Sequence, residues 1–206
     1  MSKLKIYGIP RSRAFRTLWL AKELGLDYDN VMVDFADGGT RQPSYLAINP
    51  NGHVPAIDDN GFILWESMAI NLYLAKKHSA GALYPTALED EARSWQWSLW
   101  GMTEIERPVL TAMFNRAVYP EDQRDDAAAD AAEKDLQYPL GVLDGAVSKT
   151  RYLISDDFTV ADLNVAAILS WARPARIDFG PFPKAADWLQ RCALRPAARA
   201  ARELQR

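Results

Sequence analysis

The sequence predicts a mixed α/β domain followed by an all-helical one, and three observations carry that reading. Up to about residue 78, short strand patterns alternate with helical ones in the order strand, helix, strand, helix, strand, strand, helix. Asp58-Asp59-Asn60-Gly61 separates two apolar runs, Val54-Pro55-Ala56-Ile57 and Phe62-Ile63-Leu64-Trp65, and Asn-Gly in that place is a strong hairpin signal. Past a connector at 79–87, which holds Gly81 and Pro85, every remaining pattern is helical. The expected domains are therefore 1–79 and 88–206.

Residues 3–8 alternate polar and apolar, as a strand does, and Pro10-Arg11-Ser12 ends the run. A helix is expected from about residue 13. Ala14, Leu18 and Ala21 form its inner stripe and Arg16 and Glu23 face elsewhere, with Ser12 as cap and Gly25 as terminator. Residues 28–33 read as a strand, Asp37-Gly38-Gly39-Thr40 as a loop and 42–48 as a short helix. Pro55 has no N–H to give a ladder, so it suits the first residue of a strand. A helix at 66–78 closes the domain.

Residues 88–118 read as one helix with a stripe of Trp95, Leu99, Met102, Val109 and Met113, kinked at Pro108. A second long helix spans 121–147. Its acidic, alanine-rich first half is a solvated face, Leu136, Leu140, Leu143 and Val147 make the buried face of its second half, and a kink is expected at Pro139. Thr159-Val160-Ala161-Asp162 is a capping box with Asp in place of Glu, and removing either cap side chain is expected to cost about 1 kcal/mol. Shorter helices follow at 184–193 and 196–204.

Among the 206 residues, 49% are hydrophobic, enough for a real core. A net charge of -3, from 24 basic and 27 acidic residues, argues against nucleic acid or an anionic membrane as partner. No apolar run reaches the length of a membrane span, and the start lacks the apolar stretch of a signal peptide. The one cysteine, Cys192, has no internal disulfide partner and reads as a small core residue. The expectation is a soluble cytoplasmic protein. Two widely spaced histidines and that cysteine do not make a metal site.

Glu66-Ser67, a polar pair opening a helix directly after an apolar run, is a place where free backbone N–H groups can hold a small anion. With Val54-Pro55 beside it, the stretch 49–67 reads as a peptide-binding ledge next to an anion-binding helix start.

Over nearly its whole length the chain resembles the cytosolic glutathione transferase family. The resemblance rests on Tyr7-Gly8-Ile9-Pro10-Arg11-Ser12-Arg13-Ala14-Phe15, Asn49-Pro50-Asn51-Gly52-His53-Val54-Pro55, Glu66-Ser67-Met68-Ala69-Ile70 and Phe158-Thr159-Val160-Ala161-Asp162, in order and at family-like spacing. Phe182-Pro183, Trp188, Arg191 and Arg195-Pro196-Ala197 add to it. It implies a thioredoxin-like N-terminal domain (βαβαββα), an all-helical second domain, glutathione as co-substrate without a metal, a small electrophile as second substrate, and a homodimer. It further implies that Val54 offers its backbone to the cysteinyl part of glutathione beside a cis Pro55. Glu66 and Ser67 would hold the γ-glutamyl end, and His53 would reach the glycine carboxylate. Trp97 and Trp100 are candidates for the second-substrate pocket.

Such an enzyme needs the glutathione thiolate. A thiol of pKa about 8.5 must shift by roughly 2 units to ionise at neutral pH, which is about 2.7 kcal/mol. A helix N-terminus supplies about 0.3–1 kcal/mol and a hydrogen bond to a charged group roughly 1.5–3 kcal/mol. A hydroxyl at the start of the first helix delivers both, so Ser12 is placed ahead of the alternative, Tyr7, with Arg11 and Arg13 adding positive potential. The absence of a cysteine at this turn argues against a mixed disulfide with glutathione. A glutathione-dependent isomerase, dehalogenase, peroxidase or ether-cleaving lyase, and a non-catalytic glutathione-fold binding protein, are the competing functions.

Overall fold

The computed structural model describes residues 3–79 and 81–204. The chain forms two compact units: one runs to Tyr84 and takes in the segment from Arg195, and the other is Pro85–Leu194. In the first, β1 (Leu4–Tyr7), α1 (Ala14–Glu23), β2 (Tyr28–Val31), α2 (Pro43–Leu46), β3 (Ala56–Asp59), β4 (Phe62–Trp65) and α3 (Ser67–Ser79) follow in the thioredoxin-like order. The sheet order is β2-β1-β3-β4. β1 runs parallel to β2, with Leu4 opposite Tyr28, so a crossover is required, and α1 provides it. The β3 and β4 pairings are antiparallel. Asn60 (φ 57°) and Gly61 (φ 90°) make the tight turn between β3 and β4, as the Asn-Gly pair predicts. The Val54–Pro55 peptide just before β3 is cis.

α1 ends as expected at Gly25 (φ 61°), whose N–H bonds Lys22 O while Leu26 N–H reaches back to Ala21 O. Its polar residues depart from the sequence expectation. Arg16 is fully buried, and the Glu23 side chain is 7% exposed. The Glu23 carboxylate accepts from Trp19 Nε1 at 3.0 Å and from both ends of the Arg195 guanidinium at 2.7 and 2.8 Å. That bidentate pair, with the packing of α9 (Pro196–Glu203) on α1, returns the last helix to the first unit. The helical unit therefore ends at Leu194, short of the expected 88–206, because Arg195 finds its partner in the first unit.

The helical unit holds α4 (Leu88–Trp100), α5 (Glu106–Met113), α6 (Asp126–Val147), α7 (Val160–Leu169) and α8 (Pro183–Ala193). The expected single helix at 88–118 is interrupted by wide i→i+5 turns at Gly101–Ile105 and Phe114–Val118. The first lies just ahead of Pro108, whose ring crowds the carbonyl four residues back. The expected stripe is half inverted. Trp95 and Leu99 are 50% and 62% exposed, while Ser94, Ser98, Gly101, Ile105, Val109 and Ala112 are buried. Small residues let α7 approach: a β-carbon on Gly101 would lie 2.9 Å from Ile168 Cδ1. The serine hydroxyls are not orphaned, since Ser98 Oγ donates to Ser94 O at 2.7 Å and accepts from Asn164 Nδ2 at 2.9 Å. Every residue of α7 is buried, which makes it the axis of this unit.

The capping box at α7 is present, and Asp162 does more than cap. Its carboxylate accepts from Thr159 N (3.0 Å), Thr159 Oγ1 (3.1 Å), Leu153 N (2.8 Å) and Trp188 Nε1 (2.9 Å). Full burial pushes its pKa up, against those bonds. These extra bonds revise the expected costs of losing the two cap side chains. Thr159→Val is expected to cost about 1 kcal/mol. Asp162→Asn is expected to cost about 3 kcal/mol or more, because it leaves buried donors unmatched. Urea unfolding of the two variants measures the difference.

Candidate functional site

The first turn is built on Gly8. Its φ of 131° is reserved in practice for glycine, and a β-carbon there would meet Ala14 Cβ at 2.8 Å and Val54 Cβ at 3.0 Å. The end of β1 is pinned as well, because Gly8 N–H bonds Val31 O and Asn30 Nδ2 donates to Ile6 O and Gly8 O. The start of α1 and the ledge before β3 therefore meet on either side of Gly8.

Ser12 is buried in this turn. Its Oγ accepts from Ala14 N–H at 3.1 Å and donates to Ile9 O at 2.7 Å, but the cap position of α1 falls to Arg13, one residue later than expected, and Arg13 makes no side-chain cap bond. Tyr7, the alternative, has its ring in a buried cluster with Tyr45, Val54 and Ala56, 6.2 Å between centroids from the Tyr45 ring. Arg11 is exposed and pairs with Asp34 at 3.2 Å, so much of its charge is already answered. The Asp34 carboxyl is held below its ordinary value by the Ala36 N–H and by Arg11. Arg13 is exposed at the head of α1.

The ledge is fixed from below. Tyr45 Oη and Asn49 Nδ2 both donate to His53 O at 2.7 Å. Burial raises the Tyr45 pKa to about 12, so its hydroxyl keeps the proton it donates. In a trans peptide N–H and C=O point opposite ways, so the Val54 N–H is turned away from these donors. The His53 ring is exposed, and it is this residue's main chain that the structure holds. Arg41 was not singled out from the sequence. Its Nη1 donates to Asn51 O at 3.3 Å and lies against Gly52, which brings a cation to the turn that precedes His53 in the chain. No local pattern marks it, because the loop that carries it meets residues 51–52 only in the fold.

Glu66 has φ 74°, a left-handed conformation rare for a side chain of this kind. Its side chain is exposed, while Ser67, next to it at the first position of α3, is 3% exposed. The first N–H groups of α3 lack intrahelical acceptors, as at any helix start. Ser67 Oγ accepts from Arg16 Nη1 at 3.2 Å. Arg16, expected to face away from the core, is the second residue that periodicity missed.

The structure thus brings Ser12, His53, Val54, Pro55, Glu66 and Ser67 into one compact unit, with Arg11 and Arg13 at its first turn. Trp97 and Trp100 belong to the helical unit. They are half-buried and packed edge to face at 4.9 Å. Among the described residues, no group of three or more His, Cys, Asp or Glu side chains is arranged to hold a metal, and no helix is long and apolar enough to cross a membrane.

Comparison with known proteins identifies the family. The family profile "Glutathione S-transferase, N-terminal domain" matches residues 2–76, and "Glutathione S-transferase, C-terminal domain" matches residues 103–196. Glutathione S-transferase 3 of Zea mays is 34% identical over 96% of this chain and 92% of its own length. Glutathione S-transferase GstB of Escherichia coli is 30% identical, with 89% of each chain covered. A theta class glutathione S-transferase from Xanthomonas axonopodis pv. citri, solved with glutathione bound, superposes with a TM-score of 0.91. It is 31% identical over 98% of this chain and 97% of its own.

The tight contact at Gly8 is testable against a glycine in open space. Gly8→Ala combines backbone strain with overpacking and is expected to cost about 3 kcal/mol of folding stability. Gly61→Ala, at φ 90° with nothing within 4 Å, is expected to cost only the strain, about 1 kcal/mol. Urea denaturation of both variants reads the difference.

Proposed function

The chain belongs to the glutathione S-transferase family, and from that premise we propose how its N-terminal unit performs the family's reaction. It is a glutathione transferase, an enzyme that activates the glutathione thiol for attack on an electrophilic small molecule. The carrying observation is the convergence at Gly8 of the Ser12 turn and the Val54 ledge, with Ser67 tied to the same helix by Arg16.

In this reading glutathione lies along the ledge. The backbone of Val54, ahead of Pro55, pairs with the cysteinyl residue as a short strand would. The γ-glutamyl carboxylate sits at the start of α3, against Ser67 and the first free N–H groups, with Glu66 beside its ammonium. His53 and Arg41 face the glycine carboxylate. The sulfur then lies over the first turn of α1. Ser12 exchanges its Ile9 carbonyl for the sulfur and donates its proton there, keeping the Ala14 N–H as a second bond. Serine stays protonated throughout. Its hydrogen bond and the helix N-terminus together supply the roughly 2.7 kcal/mol that ionisation at neutral pH requires. The thiol proton is released to bulk water on ionisation, the thiolate lone pair forms the bond to the electrophilic carbon, and that carbon's leaving group departs with the displaced electron pair. Trp97 and Trp100 are proposed to line the second-substrate pocket. Burial of Tyr7 among Tyr45, Val54 and Ala56 supports a serine-type enzyme.

Two exposed apolar sets support a homodimer: Phe62, Ile63 and Trp65 on β4, and Leu88, Trp95 and Leu99 along α4. A single buried thiol, Cys192, is in keeping with a cytoplasmic setting.

Ultraviolet absorbance of bound glutathione thiolate, followed against pH, tests the role of Ser12. In Ser12→Ala the bound thiol pKa is expected to rise by about 1–2 units, with kcat/KM at neutral pH falling about 10- to 100-fold and recovering as pH rises. Tyr7→Phe is expected to leave that pKa in place, and an unchanged pKa in Ser12→Ala would remove serine from the role. Sedimentation equilibrium is expected to give twice the 23.1 kDa chain mass, with Trp95→Glu shifting the protein toward monomer.

A further inference from the structure

We infer that Arg16 is a positioning residue for the anionic end of the ligand, acting through Ser67. The inference rests on the assignment of Ser67 to the γ-glutamyl carboxylate. Arg16 lies on α1, four residues past Ser12, and is fully buried. A guanidinium has only donors and keeps its charge at any pH a protein tolerates, so Ser67 Oγ can only accept from it. The 3.2 Å bond from Arg16 Nη1 occupies a lone pair of that oxygen. The hydroxyl proton is thereby confined to the remaining directions, and it is presented to whatever anion occupies the start of α3. The buried positive charge adds to the positive end of the helix.

The main chain at Arg16 is fixed to the same helix. Asn71, one turn further along α3, donates from Nδ2 to Arg16 O at 3.3 Å and accepts from Thr17 Oγ1 at 3.0 Å. Residues 16 and 17 of α1 are thus locked to residues 67 and 71 of α3, all of them buried. A charge could have been avoided here if the task were only to join two helices, since an apolar side chain packs at lower desolvation cost. A cation behind a ligand-facing hydroxyl is what recognition of a carboxylate calls for.

The test compares two ligands on three proteins by calorimetry. The ligands are glutathione and γ-aminobutyryl-cysteinyl-glycine, which is glutathione without its α-carboxylate. The proteins are wild type, Arg16→Met and Arg16→Lys. Wild type is expected to favour glutathione. Arg16→Met is expected to bind glutathione about tenfold more weakly, one hydrogen bond to a charged group, and the analogue as well as wild type does. Arg16→Lys keeps charge and length without the planar fork, and its preference is expected to narrow in the same direction. Should Arg16→Met fail to fold by circular dichroism, the Lys variant decides by that ratio. Equal weakening on both ligands, or an unchanged preference, would assign Arg16 to packing alone and overturn the inference. Wild type binding both ligands equally would overturn it while leaving glutathione binding intact. Wild type binding neither at millimolar concentration would instead overturn the reading of the site beneath it.

Discussion

The missing β-carbon at Gly8 sets the geometry on which the N-terminal unit depends. The chain leaves β1 there at a φ that other residues avoid, with Ala14 on one side and Val54 on the other at distances no side chain would permit. Asn30 and Val31 of β2 fix the point of departure by bonding both polar groups of Gly8. One position therefore aligns the turn that carries Ser12 and leads into α1 with the ledge that ends in Pro55. Everything further along α1 inherits that alignment, including Arg16, whose bond to Ser67 ties the second half of the site to the first.

Buried polar groups do the rest of the arranging, because hydrogen bonds choose partners and apolar contacts do not. Glu23 and Arg195 bring the last helix onto α1 across most of the sequence. Asp59, at the end of β3, meets Tyr73 and Lys77 of α3. Burial pushes that carboxyl up, but the bonds from Lys77, Tyr73 and Asn60 outweigh it and leave it below its ordinary value. In the helical unit Asp162 gathers Leu153, Thr159 and Trp188 around the start of α7. Each group is costly to bury alone and specific once paired. The cores around them are apolar and would tolerate several arrangements.

This division explains which parts of the sequence were legible. The βαβαββα order, the hairpin at Asn60-Gly61, the α1 terminator at Gly25 and the capping box at Thr159 all came from local chemistry, namely left-handed backbone, caps and side-chain period. The misreadings share one cause. Periodicity assumes that apolar residues go in and polar ones out, so it turned Arg16 and Glu23 outward and Trp95 and Leu99 inward. The structure reverses all four. Buried Arg16 and Glu23 have partners distant in sequence, and α7 packs against α4 through serines and a glycine that let it come close.

By itself the sequence determined the family and the two-part architecture, because each motif is a local requirement of backbone or cap that survives without its neighbours. Only the tertiary structure decided how those segments are joined. It placed the Ser12 hydroxyl on the Ile9 carbonyl, set Arg11 against Asp34 and buried Tyr7 in the core. It also put Arg41 against Asn51 and Gly52, Arg16 behind Ser67 and α9 on α1. A hydrogen bond between residues 16 and 67, or 23 and 195, depends on distance and direction in space, and no pattern along the chain records either.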